Sequence, residues 1–89
     1  MVNTPKQGRF RHIVFRDSGA WYAVALEFNI VESSDDPKLA FFNLLQAVNG
    51  YIQSVKKING AQGYPALNQK PDSAIAPYQT YIRPGYWRD

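Results

Sequence analysis

At 89 residues the chain has room for one small domain, and a lone core of that size is marginally stable unless a partner or a second copy adds to it. It holds no cysteine, which excludes disulfides, thiolate nucleophiles and thiolate metal ligands. Its polar start offers no apolar run for a signal peptide or membrane span, so the expected location is cytoplasmic. The net charge of +3 is unevenly spread: Lys6, Arg9, Arg11 and Arg16 crowd the start, whereas Glu27, Glu32, Asp35 and Asp36 follow one another with no Lys or Arg between them.

Met1 to Gly8, with Asn3, Thr4, Pro5 and Gly8, has the composition of a frayed leader. Phe10 to Phe15 reads as a strand rich in aromatic and β-branched residues, and Arg16-Asp17-Ser18-Gly19 carries turn chemistry, with Gly19 free to take a positive φ. A hairpin is therefore expected. Its second arm, Ala20 to Phe28, is apolar at nearly every position: alternation puts Tyr22, Val24, Leu26 and Phe28 on one face and Trp21, Ala23 and Ala25 on the other. Ile30-Val31-Glu32 is a short third strand.

Asp36 suits a helix N-cap and Pro37 the first helical position, while Asp35 and Asp36 both sit where the helix dipole favours negative charge. From Pro37 to Ile58 the residues Phe41, Leu44, Leu45, Val48, Tyr51, Ile52, Val55 and Ile58 recur at three- and four-residue spacing, which predicts one long helix with a buried stripe. Lys56 and Lys57 suit its last turn and Asn59-Gly60 its stop. Gly50 interrupts it at about 1 kcal/mol relative to alanine, which means either a close approach to the sheet or simply a tolerated glycine. Residues 61–77 read as a proline-punctuated loop, Tyr78 to Ile82 as an edge strand that Pro84-Gly85 ends, and Tyr86 and Trp87 as aromatics that must dock somewhere.

The chemistry-bearing residues are sparse. His12 is the only histidine, set mid-strand, and is read as a satisfied structural side chain. The carboxylates are scattered over a turn, strand ends, a cap and a loop, and no glycine-rich loop precedes a helix. No catalytic residue, metal ligand or cofactor is assigned, and the chain is read as a non-enzyme.

The Tyr-Ala-Val-Ala-Leu-Glu run from Tyr22, followed by a turn, the acidic entry Ser34-Asp35-Asp36, and then Ala40, Asn43-Leu44, Ala47 and Gly50-Tyr51, resembles the HicB-like antitoxin domain. That family's helix carries an Ala-x-x-Asn-Leu-x-x-Ala-x-x-Gly-Tyr pattern, and the likeness covers about Ile13 to Ile58. It implies a β-β-β-α-β layout of the truncated ribonuclease H kind without working catalysis, and a role in binding and silencing a small basic RNA-cleaving toxin (HicA-like). The family's Pro-Glu-Leu-Pro-Gly-Cys turn is replaced here by Leu26-Glu27-Phe28-Asn29-Ile30-Val31, and no DNA-binding helical motif follows Gly60.

The expected architecture is thus α+β: a three- to four-stranded antiparallel sheet with one long helix on one face, a core over about residues 9–60 and a loop-rich tail. One helix cannot cover both apolar faces of the second strand. The expectation is a self-associating interaction module, a dimer or tetramer, whose interface holds Trp21, Ala23, Ala25, Phe15, Tyr86 and Trp87, with Glu27, Glu32, Asp35 and Asp36 as an acidic patch. The alternative is a small nucleic-acid-binding domain using Lys6, Arg9, Arg11, Arg16, Arg83 and Arg88; a third reading, a degenerate nuclease, would need Asp17, Glu27 and Glu32 to converge on a divalent ion.

Overall fold

Two residues with positive φ, Ser18 at 52° and Gly19 at 84°, close the first hairpin. That pair of angles is a type I′ turn, whose twist matches that of the strands it joins. A computed structural model supplies the structure, which describes residues 3–59, 65–68 and 81–88. In chain order it contains β1 (Gln7–Asp17), β2 (Ala20–Ala25), β3 (Ile30–Ser34), α1 (Pro37–Asn59), a 3-10 turn at Pro65–Leu67, and β4 (Arg83–Arg88). Among the described residues the strands form one sheet in the order β3-β2-β1-β4, every neighbour antiparallel, with α1 packed on one face. The α+β class and the single covering helix are as the sequence predicts. No described helix is long and apolar enough to cross a membrane.

Register fixes which side chains the helix covers. β1 and β2 pair from Asp17↔Ala20 to His12↔Ala25, so Phe10, His12 and Val14 share a face with Trp21, Ala23 and Ala25. This is the helix face: Phe10, Ala23 and Ala25 join Ala40, Leu44, Val48, Ile52 and Val55 in the core, with Val14, Trp21 and Ile30 packed against it. The expectation that Trp21, Ala23 and Ala25 would lie open for a partner is therefore overturned. Alanine is what lets a helix approach a sheet closely, and Ala23, Ala25, Ala40 and Leu44 are all at 0 % exposure. The bulkier Tyr22 and Val24 would have held the helix away.

β2 is also shorter than the apolar run. Alternation ends at Ala25, where Leu26 N–H donates to Arg11 O (2.9 Å), Phe28 N–H donates to Ala25 O (3.3 Å) and Asn29 takes φ 53°. That turn removes Leu26 and Phe28 from the strand and swings Phe28 into the core, 6.1 Å from the Phe10 ring and 5.1 Å from Tyr51.

The helix begins as predicted. Asp36 Oδ1 accepts from Lys38 N–H (2.7 Å) and Leu39 N–H (3.0 Å), satisfying two donors of the first turn. Gly50, by contrast, is exposed, and a Cβ built on it meets nothing within 4 Å, so no close approach to the sheet explains it.

The last strand corrects the reading of the tail. Of the segment expected to form it, 78–80 lies outside the described residues, Tyr81 and Ile82 precede the strand, and β4 runs through Pro84-Gly85 rather than ending there. An edge strand tolerates proline because one side of its backbone has no ladder to complete. Gly85 is needed because it faces Phe10 across the ladder, where a Cβ would stand 2.5 Å from a ring carbon. Two pairs further on, Gly8 faces Trp87, whose ring occupies the space a Cβ at Gly8 would take. Of the two aromatics expected to dock, Trp87 does, its ring stacked on Phe10 at 6.3 Å and its Nε1 donating to Thr4 O (2.8 Å), whereas Tyr86 points to the other face and stays exposed.

Residues 3–6 are not frayed. Asn3 Nδ2 donates to Arg9 O (2.8 Å) and Leu67 O (2.7 Å), its Oδ1 accepts from Arg9 N–H (2.9 Å), and its backbone exchanges hydrogen bonds with the Asn68 amide. One buried amide thus ties the leader to β1 and to the 3-10 turn.

Two glycines should respond to substitution with opposite signs. Gly85→Val, which forces a branched side chain into the Phe10 ring, should cost about 2 kcal/mol. Gly50→Ala, which adds a methyl to open space on a helix, should gain about 1 kcal/mol. Urea denaturation of the two variants checks both, and a neutral Gly85→Val would mean that β4 does not depend on this contact.

Candidate interaction surfaces

The structure splits the expected interface into two groups. Trp21, Ala23, Ala25 and Trp87 lie on the helix side, the alanines fully buried and both tryptophans partly so. Phe15 and Tyr86 lie on the opposite face, Phe15 stacked on Tyr22 at 5.5 Å and Tyr86 67 % exposed.

The acidic patch does not assemble. Glu27 sits in the β2–β3 turn with both carboxylate oxygens engaged by one residue: Oε1 accepts from Arg11 N–H (2.8 Å) and Oε2 from Arg11 Nε (3.0 Å). It takes the place of the missing β2 backbone where β1 runs on past the end of its partner. Asp35 and Asp36 stand at the other end of β3, Asp36 as the helix cap, and Glu32 is opposite Ala23 on the helix side of that edge strand. Asp17, at the hairpin end of β1, is remote in register from Glu27, so the nuclease trio does not converge either. Among the described residues no three His, Cys, Asp or Glu side chains gather as a metal site would need.

Two surfaces escaped the sequence reading. The first is on the outward side of α1, where Leu39 (50 %), Phe42 (55 %) and Leu45 (37 %) are exposed at three-residue intervals. Leu45 was expected in the buried stripe, but the sheet takes Ala40, Leu44, Val48, Ile52 and Val55, and that choice leaves Leu45 on the flank. Because the first turns of α1 are apolar on several sides, periodicity alone did not separate the two stripes.

The second lies on the sheet face away from the helix. Pairing of Gln7↔Arg88, Arg9↔Tyr86 and Arg11↔Pro84 sets these six side chains outward together, and Arg9, Arg11, Glu27, Pro84 and Tyr86 line a groove of about 380 Å³ with Phe10 at its floor. Alternation along β1 placed Arg9 and Arg11 on one face, but nothing in the sequence showed that β4 would bring Tyr86 and Arg88 beside them.

His12 faces the helix, its ring 4.7 Å from Phe41 and 5.9 Å from Phe10. It is not the satisfied histidine expected: Nδ1 is buried and finds no hydrogen-bond partner among the described residues. Burial, and secondly the positive charge of Arg83 across the ladder, lower its pKa from the ordinary 6.5.

No family model, curated protein or solved structure matches the chain. On the helix, Ala40 and Leu44 are in the core, and Tyr51 packs against it while its hydroxyl donates to Ala66 O (3.2 Å). Gly50 has no such role, since a Cβ built on it meets nothing within 4 Å.

A lowered histidine pKa has a definite consequence for stability. Above about pH 6.5 the ring is neutral in both folded and unfolded chains; as pH falls below that, the unfolded chain takes up a proton first and stability drops, until the folded pKa is passed. His12→Phe should flatten the dependence between roughly pH 6.5 and 5, above the range where carboxylates titrate. Urea midpoints over that range decide it, and an unchanged slope in the variant would absolve His12.

Proposed function

We propose that the chain is a non-catalytic interaction module that pairs with a second copy of itself through the outward side of α1. The observation that carries this is the exposed run of Leu39, Phe42 and Leu45. A solvated helix face is ordinarily polar, and an apolar stripe on it is the form a helix uses to meet another helix.

The order of residues suits a twofold pairing. Leu39 and Leu45 stand three residues to either side of Phe42, so two antiparallel copies crossing at Phe42 would set Leu39 of each against Leu45 of the other. The same symmetry opposes Lys38 to Gln46, with no like charges face to face. A contact this small supports a dissociation constant of roughly ten to a hundred micromolar rather than a permanent assembly.

The likeness to HicB-like antitoxins adds a candidate partner, a small basic RNA-cleaving toxin, which would compete for this stripe. The acidic residues that such a partner would be expected to seek are dispersed, and Glu27 is already paired with Arg11.

Light scattering across roughly 5 to 500 µM should show the weight-average mass rising towards twice that of the chain, a span that brackets the expected constant. Phe42→Glu should hold it at one chain while leaving the thermal transition nearly unchanged, since Phe42 is largely exposed. A wild-type chain that stays monomeric throughout would overturn self-association, and a toxin that binds Phe42→Glu as well as wild type would remove the stripe from its site.

A further inference from the structure

The outward face of the β1–β4 pair is chemically unlike the helix stripe. Arg9 stands directly opposite Tyr86, Arg11 is diagonal to it across the ladder, Arg88 is two residues on along β4, and register puts all four on the same side of a two-stranded ladder at the sheet edge. Cross-strand neighbours have Cβ atoms about 5 Å apart and i, i+2 neighbours about 7 Å, so Arg9 and Arg11 lie within reach of the Tyr86 ring and line one groove with it, while Arg88 follows Tyr86 at the next outward position of β4.

The charge balance of this patch is positive. Glu27 is the one carboxylate in the groove lining, and it is only 14 % exposed and bound to Arg11 Nε, so its charge is spent inside the patch. Among the described residues no carboxylate pairs with Arg9 or Arg88, and the bond from Glu27 holds the Arg11 guanidinium by its Nε edge, with its side chain still 43 % exposed. Tyr86 is 67 % exposed on an edge strand, where the neighbouring Pro84 and Gly85 add little bulk around its ring. A groove of about 380 Å³ falls within the range of small-ligand sites, about 300–1,000 Å³.

We propose that this face binds single-stranded nucleic acid, Tyr86 stacking on a base while Arg9, Arg11 and Arg88 hold the flanking phosphates. The cations alone would fit any polyanion. The exposed ring among them selects for a ligand that offers a flat π-face between negative charges, and only an unpaired strand presents its bases that way. A duplex keeps its bases stacked, and an open sheet face has no helix or ribbon to insert into a groove.

β1 does not supply the stacking ring, since alternation sends its aromatics to both faces of the sheet. Phe10 and His12 turn under the helix, and the ring for stacking comes from β4 instead. This inference does not rest on the pairing through Leu39, Phe42 and Leu45, which lie on the opposite side of the molecule, beyond the sheet.

The test is fluorescence anisotropy of a labelled single-stranded 12-mer, oligo-dT or oligo-rU, titrated with the full-length chain at 50 mM and 200 mM salt. Binding should weaken with salt with a logarithmic slope of about −2, the value for three phosphates on a single strand. Tyr86→Ala should weaken it at least about fivefold, the least expected for loss of one stacked base, at unchanged salt slope. Arg9→Gln with Arg88→Gln should bring the slope towards zero. All three side chains are exposed, so circular dichroism should read the variants as folded, and Phe42→Glu should bind like wild type. No anisotropy change at 50 mM salt, equal affinity for the matching duplex, or indifference to Tyr86→Ala would overturn the proposal; tight binding of a poly-glutamate peptide with no oligonucleotide binding would reassign the patch to an acidic protein.

Discussion

The two alanines of β2 carry the rest of the structure. A helix of 23 residues can seal a four-stranded sheet only where the sheet's side chains let it come close, and Ala23 and Ala25 provide that place beneath the apolar row running from Leu44 to Val55. Once the helix has settled there, the pleat determines everything else about the sheet: Phe10, His12 and Val14 are drawn under it, and Arg9, Arg11, Phe15, Tyr22 and Tyr86 are sent to the other side. The burial of His12 without a partner for Nδ1 is a by-product of the same choice, since its strand position leaves it no other face.

Closure at the opposite edge relies on shape rather than on further helices. Gly8 and Gly85 leave gaps in the β1–β4 ladder that Trp87 and Phe10 fill, each glycine facing the ring from the other strand. The Trp87 indole reaches Thr4, and Asn3 reaches both β1 and Leu67, which is at 0 % exposure. Segments far apart in sequence thereby hold one another: the leader, the 3-10 turn and the last strand form a bolt across the open end of the core. A small domain with no disulfide needs such long-range ties, because a single helix and sheet bury too little apolar surface to leave much stability in hand.

Much of this was legible in the residues. The Ser18-Gly19 turn, the Asp36 cap followed by Pro37, and the long periodic helix all follow from local chemistry, and local chemistry is what a sequence displays directly. What did not show was set by long-range packing. Leu26 and Phe28 continue the apolar pattern of β2, yet a turn held by Arg11 takes them out of it, and only the meeting of Glu27 with Arg11 signals this. Pro84-Gly85 looks like the end of a strand and is its middle, because Phe10 lies against it from 75 residues away in the chain. Asn3 looks like part of a loose leader until Leu67 and Asn68 are placed beside it. The candidate interface differs from expectation for a related reason: alternation divides β2 into two sets of residues but cannot say which set the helix covers, and here it covers the one whose small side chains let it come closest.

The original difficulty, one helix for two apolar faces, is met by a division of labour. The outward sheet face reaches water through side chains with polar ends: Arg9, Arg11 and Arg88 carry charge, and Tyr22 and Tyr86 carry hydroxyls on apolar rings. The same face also carries an apolar row, Ile13, Val24 and Val31, in which Ile13 is buried and Val31 is 54 % exposed towards the far edge. The surplus of apolar surface has moved to α1, whose first half presents hydrophobic side chains both inward and outward. A helix buried on one side gains nothing in stability from Leu39, Phe42 and Leu45 on the other, and helix propensity does not require phenylalanine there, since it is a poorer helix former than alanine or glutamate. Leu39 and Phe42, half exposed, add little to the core beneath the helix, and the arginines beside Tyr86 stand on the far face of the sheet, so the two surfaces differ both in chemistry and in position.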